Sequence, residues 1–400
     1  AGPAAGLPPD LAGAVGSTYA SEEPMRVGGA SQLVEMSNAQ ISQELGLTAP
    51  MERMIVRRAL EHLLEADRRA NAHHGRGLRD VMENPALRKF VIPLERLTLE
   101  NTICQGGFGI VYRGILADAG PKDAAANTPG SRQAGKQVVA VKEMLGDHRV
   151  RLHELLKEAN VMASLRHTNI CRFIGVCADG NPKGKRFILS ELLHCSLFDL
   201  VHRPTRVPYT GELDNPLILK LCEGICAGLS YIHDRSLVHA DLKSSNILID
   251  LALRPEDDYK PVPRICDFGH AAVRISSSPH DRLCTPHWAA PEVLRNEGLG
   301  PAADMFSVGV LLWEMLAKTV PHHDLGFGQV LASVGWAGAV PDMEQLPAGL
   351  PDDIRRLQDD LLRFMPLERP SAREAHRRLV RLPRILRGRS VQSLLGFLGC

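Results

Sequence analysis

The stretch Val238-His239-Ala240-Asp241-Leu242-Lys243-Ser244-Ser245-Asn246-Ile247-Leu248 constrains this chain more than any other. It places a carboxylate, an ammonium and a carboxamide inside the six residues from Asp241 to Asn246, between apolar runs of β type. A loop of this kind can hold a hydroxyl nucleophile on Asp241 while Asn246 grips a cation and Lys243 faces a phosphate.

At 400 residues the chain exceeds one compact core. It fits two to three units of ~100–200 residues each. A hydrophobic content of 44% and a charged content of 23% describe an ordinary soluble globular chain. A formal net charge of +1 provides no footprint for nucleic acid or an anionic membrane. The nine cysteines are odd in number and form no C-x-x-C pair, so neither a disulfide framework nor a zinc ribbon is supported. Reduced thiols in a cytosolic or nuclear setting are the better reading. His73, His74, His322 and His323 have no Cys or second His at ligand spacing, which argues against a transition-metal site. No run of eighteen apolar residues occurs; the nearest approach, Met305 to Ala317, carries Trp313 and Glu314 and reads as a buried core helix. A chain beginning at Ala1 rather than Met is compatible with a cytoplasmic protein or with the cytoplasmic part of a larger membrane protein.

Residues 1–30 are rich in Ala, Gly, Pro and Ser and read as a disordered low-complexity segment, because they hold too few large apolar side chains to offset the entropy of ordering. A helical extension is expected over 31–89. Thr48 and Pro50 mark a start, Glu52 sits in the first turn, and Met51, Ile55, Ala59 and Leu63 recur at helical spacing. Short strands are expected at Phe90-Val91-Ile92, Leu97-Thr98-Leu99 and Ile110-Val111-Tyr112. A Gly/Pro/Ala-rich stretch over 117–137 reads as a flexible insertion. Val138 to Met144 is the next strand, Leu152 to Leu165 an amphipathic helix, and Phe187 to Leu193 the last strand of this region. After Leu197 the pattern is mainly helical. A strand-rich first part and a helix-rich second part mean an α+β fold of two lobes, over 93–193 and 194–383, with a tail over 384–400.

Further motifs flank the Asp241 loop. Cys104-Gln105-Gly106-Gly107-Phe108-Gly109-Ile110-Val111 lies between two strand runs, where glycines let backbone N–H groups approach phosphate oxygens. Val139-Ala140-Val141-Lys142 sets a lysine in an apolar strand, with Glu158, or Glu154 one turn earlier, as its partner on the following helix. Stranding one member of a buried pair costs ~3–5 kcal/mol, so each charge explains the other. Ser190-Glu191-Leu192-Leu193 ends the last strand of the first lobe, and Ile265-Cys266-Asp267-Phe268-Gly269 follows the strand-like Val262-Pro263-Arg264. Thr285-Pro286-His287-Trp288-Ala289-Ala290-Pro291-Glu292, then Asp304-Met305-Phe306-Ser307-Val308-Gly309, then Glu368-Arg369-Pro370 complete the series.

Taken in order, these motifs resemble those of protein kinases over about residues 93–383. The Asp241 loop is similar to H-R-D-L-x-x-x-N, with Ala240 where the family has arginine. The glycine-rich stretch is similar to G-x-G-x-x-G-x-V, with Cys104 replacing the first glycine. The resemblance implies a bilobal fold with a small antiparallel-sheet lobe carrying one main helix, and a larger, mostly helical second lobe. It implies transfer of the γ-phosphoryl group of ATP, with Mg2+, to Ser or Thr hydroxyls of proteins. On that pattern Asp241 orients the hydroxyl and accepts its proton, Lys243 neutralises the transferring group, and Asn246 and Asp267 bind magnesium. Cys104, Gln105, Gly106, Gly107, Phe108, Gly109, Ile110 and Val111 cover the phosphates, while Lys142 with Glu158 holds them. Ala140, Ser190, Glu191 and Leu193 belong to the nucleotide pocket, which the small Ser190 makes deep.

Asp304, Ser307, Gly309 and a Glu292–Arg369 pair are structural supports in the family. Lys243 and Thr285 resemble the serine/threonine type, and D-L-K-S-S-N-I-L resembles the tyrosine-kinase-like group. The rival is a pseudokinase, a scaffold binding nucleotide or partners without turnover; its mark is loss of Lys142, Asp241 or Asp267, and none is lost. A small-molecule kinase is disfavoured by the Thr285-to-Glu292 segment, which resembles a protein-substrate shelf. The expected partners are proteins bearing Ser or Thr, with no nucleic acid and no membrane segment within the chain; the oligomeric state is left open.

Overall fold

A computed structural model describes residues 86–106, 109–117, 132–133, 136–144, 148–178, 185–251, 261–273 and 286–382. The expected low-complexity segment, the helical extension expected over 31–89 as far as residue 85, and the tail over 384–400 lie outside the described residues.

An antiparallel sheet forms the first lobe. Its strands are β1 (Leu97–Gly106), β2 (Gly109–Ala117), β3 (Arg132–Gln133), β4 (Lys136–Met144), β5 (Phe173–Ala178) and β6 (Arg186–Glu191), in the order β1-β2-β4-β6-β5 with β3 on β4. The pleat sorts β4 and β6 into two faces. Val139, Val141, Phe187 and Leu189 are buried in one small core, so Ala140, Lys142, Ile188 and Ser190 take the opposite side. Ala140 is in register with Ser190, and Lys142 with Ile188. Against that second side lies α1 (His148–Ser164), whose Leu155, Ala159 and Met162 recur at helical spacing and are buried, with Glu158 on the same face.

Two expectations change. Phe90-Val91-Ile92 is not a strand: Arg88–Phe90 is one 3-10 turn, and only Val91 bridges to Val176. Pro93 follows at once and has no N–H to extend a ladder. β5 is a strand that the sequence pattern did not reveal, and β3 falls within the stretch read as an insertion.

The second lobe is built on helices. Its elements begin with β7 (Cys195–Ser196), α2 (Leu197–His202) and α3 (Asn215–His233). The Asp214 carboxylate caps α3 by accepting the Leu217 N–H at 2.9 Å. β8 (Leu237–Val238) pairs with β11 (Ala272–Val273), and β9 (Ile247–Asp250) pairs with β7 and β10 (Val262–Ile265). Then come α4 (Pro291–Leu294), α5 (Pro301–Ala317), α6 (Phe327–Gly335), α7 (Asp352–Leu361) and α8 over 372–382. Every residue of α5 from Ala303 to Leu316 is buried, as its all-round apolar pattern requires. α7 can lie against it because Gly309 has no side chain; a Cβ there would sit 2.9 Å from Leu361. No helix among the described residues is long and apolar enough to cross a membrane.

Candidate active site

The glycine-rich stretch is the β1–β2 hairpin, with Cys104 opposite Val111, Gln105 opposite Ile110 and Gly106 opposite Gly109. Cys104 and Gln105 are exposed; Gly107 and Phe108 lie outside the described residues. Gly109 has a steric reason to be glycine: a Cβ there would run into the Glu143 carbonyl on β4.

From β4, Lys142 reaches both the helix and the second lobe. Its Nζ donates to Glu158 Oε1 and Oε2 at 3.0 and 2.9 Å and to Asp267 Oδ1 at 2.8 Å. Glu158 is therefore a partner of Lys142 on α1, while the side chain of Glu154 lies outside the described residues. Burial pulls the Lys142 ammonium down, but the two carboxylates more than offset it and hold it well above the usual lysine range. Burial likewise pushes the Asp267 carboxyl up, and Lys142 more than offsets that, keeping it ionised below the usual carboxylate range. The Asp267 backbone is left-handed, φ 62°. For a non-glycine residue this costs ~1–2 kcal/mol, offset by the ionic contacts of its side chain.

The Asp241 loop closes on itself. The Asn246 amide nitrogen donates to the Asp241 carbonyl at 2.8 Å and to Asp241 Oδ2 at 3.0 Å, and Lys243 Nζ lies 2.9 Å from the same Oδ2. Pairing of β9 with β10 sets Ile247 against Ile265, and the Cys266 N–H donates to the Asn246 carbonyl at 2.9 Å. Asp267 is thereby carried to the Asn246 side of the cleft, joining the two ionic clusters. Because its nitrogen is spent on Asp241, Asn246 offers its carboxamide oxygen to a ligand. With the Asp267 carboxylate this makes a hard oxygen donor set, which suits Mg2+ rather than a soft metal.

At the back of the cleft, Ser190 stands half-buried opposite Ala140. The Glu191 carboxylate is engaged elsewhere, accepting the Arg172 N–H at 2.8 Å and lying 3.3 Å from Arg264 Nη1. Leu193 is half-buried just past β6.

Comparison with known families matches residues 97–379 to the protein kinase domain. The chain belongs to the protein kinase family. Among curated relatives, it is 31% identical over 286 residues to serine/threonine-protein kinase CTR1 of Arabidopsis thaliana, covering 70% of this chain and 31% of the relative. It is 32% identical over 237 residues to probable serine/threonine-protein kinase drkC of Dictyostelium discoideum, covering 57% and 29%. It is 31% identical over 238 residues to mitogen-activated protein kinase kinase kinase zak-1 of Caenorhabditis elegans, covering 57% and 30%. Each match therefore spans about 30% of the relative's length.

The kinase site rests on α5. Asp304 accepts the backbone N–H groups of His239 and Ala240, both at 2.9 Å, and lies 2.8 Å from His233 Nε2. Burial pushes its carboxyl up, but the His233 contact more than offsets this and holds it below the usual range. Ala240 is itself left-handed, φ 72°, so these bonds stabilise a conformation that alanine alone disfavours. Glu292 and Arg369 form a two-pronged pair at 2.7 and 2.8 Å, and the Ser307 hydroxyl donates to the Trp288 carbonyl at 2.8 Å.

Two supports escaped sequence reasoning. His239 donates from Nε2 to the Cys266 carbonyl at 2.9 Å and stacks edge-on against Phe268, tying the Asp241 loop to the Asp267 turn. Glu314, fully buried on α5, accepts from the Ser244 hydroxyl at 2.7 Å and the Trp288 indole at 2.8 Å, and sits 2.9 Å from His202 Nε2. The available signal was Glu314 itself. A carboxylate inside an apolar helix must be hydrogen-bonded or paired.

Proposed function

We propose that this chain is a protein serine/threonine kinase that moves the γ-phosphoryl group of ATP to Ser or Thr hydroxyls of protein substrates. The observation that carries the reading is the meeting of two ionic clusters, Asp241–Lys243–Asn246 and Lys142–Glu158–Asp267, on one cleft. The relatives' names as serine/threonine kinases support the acceptor class and accord with the resemblance to the tyrosine-kinase-like group. Lobes over 93–193 and 194–383, in a cytoplasmic protein or the cytoplasmic part of a larger one, complete the proposal.

In this reading the substrate oxygen attacks the γ-phosphorus, the bond to the β-bridging oxygen breaks, and ADP leaves. Asp241 orients the hydroxyl and takes its proton, while Lys243, beside Oδ2, faces the transferring phosphoryl. Lys142, fixed by Glu158, holds the α- and β-phosphates beneath the hairpin from Cys104 to Val111. Ala140, Ser190 and Leu193 enclose the adenine, and Glu191 meets it only through its main chain. Asn246 and Asp267 would hold Mg2+, which when bound supplies positive charge against the phosphate oxygens. Catalysis of this kind is mostly positioning and charge stabilisation, so the number of fixed polar groups is itself meaningful. A scaffold without turnover would be marked by loss of Lys142, Asp241 or Asp267, and all three are present. Incubating the chain with γ-labelled ATP and a generic protein, with and without Mg2+, tests the proposal. Magnesium-dependent label on Ser and Thr is expected; label on Tyr alone, or none under any condition, would refute it.

A further inference from the structure

Residues 86–92 precede the span matched to the protein kinase domain, which begins at residue 97, yet they are closely seated on the first lobe. Leu87 is 0% exposed and belongs to the core into which Leu155, Ala159 and Met162 of α1 pack. Ile92 is buried in the other core, with Val139, Val141, Phe187 and Leu189 on the far face of the sheet. The segment is thus a strap that passes from one face to the other, and it does so at β5, the edge strand. There the Ile92 N–H donates to the Val176 carbonyl at 2.9 Å and Val91 bridges to Val176 in parallel, covering part of an edge that would otherwise lie open.

β5 is shaped to receive the strap. A Cβ at Gly175 would sit 2.5 Å from the Phe90 carbonyl oxygen and 2.6 Å from Ile92 Cδ1, so a side chain there would push the strap away. The Phe90 ring meets Phe173 edge-on at 5.1 Å and shares a cavity with Met162 and Ala163, in the last turn of α1. The Phe90 N–H donates to the Leu87 carbonyl at 2.8 Å, which fixes both residues in one turn. Met162 stands four residues after Glu158, on the same face of α1. What bears on the end of the helix therefore bears on the carboxylate that meets Lys142.

We propose that Leu87 and Phe90, upstream of the kinase domain itself, are positioning residues for the Lys142–Glu158 pair. They hold the end of α1 so that Glu158 stays 2.9–3.0 Å from Lys142 Nζ. The proposal rests on the reading of Lys142 as the residue that holds the α- and β-phosphates. A loosened strap should weaken the grip on those phosphates and leave the adenine contacts alone.

Calorimetric titration of the full chain with a non-hydrolysable ATP analogue in Mg2+, and with adenosine, which has no phosphates, tests this. Leu87→Ala should lower affinity for the analogue about tenfold and for adenosine by less than about twofold, the scale on which packed neighbours couple to a site. Leu87→Met, which refills the space, should restore analogue binding. In a Glu158→Gln background, Leu87→Ala should cost nothing further, because changes that act through one contact do not add. Phe90→Leu serves where Leu87→Ala does not fold. Equal losses for adenosine and the analogue would mean general loosening and would overturn the proposal. So would a loss that persists in full beside Glu158→Gln, or unchanged affinity for both ligands. Failure of the wild type to bind the analogue would refute the kinase reading, and this proposal with it.

Discussion

At Lys142 one ammonium serves two carboxylates from different parts of the chain, and neither can be left alone at low cost. Glu158 is 2% exposed, so stranding it carries the penalty of an unpaired buried charge, ~3–5 kcal/mol. The resemblance of Val139-Ala140-Val141-Lys142 to a kinase motif made Lys142 legible with Glu158 as its partner, while helical spacing left Glu154 open; the contact from Asp267, far along the chain, was not legible. Cys104 and Gly109 show how unequal the positions of one motif are. Cys104 is exposed and pairs with Val111 beside a register shift of the ladder, where a side chain does no harm, whereas Gly109 has no room for one. Ser190 shares one side of the sheet with Ala140 and Lys142, and in the proposed nucleotide pocket its small side chain would set the depth. Ser190→Met should lower turnover of N6-benzyl-ATP on the order of tenfold relative to wild type, since added bulk in a packed site costs ~1–3 kcal/mol, while ATP itself is still used. Equal use of the bulky analogue by both proteins would contradict this placement.

At the scale of elements, α5 does most to hold the site. Through Asp304 it fixes the backbone of His239 and Ala240, and through Glu314 it joins Ser244 in the Asp241 loop to Trp288 and His202. The helix was readable as buried, but the bonds of Asp304 and Glu314 reach residues 26 to 112 positions away, and no local pattern encodes such distances. The same holds for β5, which is a strand because β6 pairs with it, and for Phe90, whose strand-like composition yields to the proline that follows. Glu314→Gln removes the charge and forces one of three donors to face another donor. It should cost ~2–4 kcal/mol and lower Tm by about 4–10 °C, with reduced phosphoryl transfer per folded molecule. Melting at the wild-type temperature with full activity would show that the Glu314 contacts carry no weight.

On the scale of the whole molecule, the sequence departs from the family pattern at a position tied to control. In protein kinases a phosphate on the segment before A-P-E pairs with the arginine of the Asp241 loop and orders that segment. Here the position is Ala240, whose backbone Asp304 holds but whose side chain offers no cation. Ser276, Ser277, Ser278, Arg282 and Thr285 lie outside the described residues. Phosphatase treatment is therefore expected to leave activity within about twofold, equally in wild type and in the variant carrying Ser276→Ala, Ser277→Ala and Ser278→Ala. A large loss confined to wild type would reveal another anchor. The order of the motifs made the two-lobed architecture legible, because each motif needs its own strand, loop or helix. The central claim, that Asp241 handles the nucleophile while Asn246, Asp267 and Lys142 hold the nucleotide and its metal, divides cleanly in one variant. Asp241→Asn, assayed beside wild type for phosphoryl transfer and for binding of Mg-ATP, should lose transfer by at least ~10²-fold, the scale of a positioned acid or base, and keep its nucleotide affinity within about threefold. Transfer at the wild-type rate would contradict the assignment.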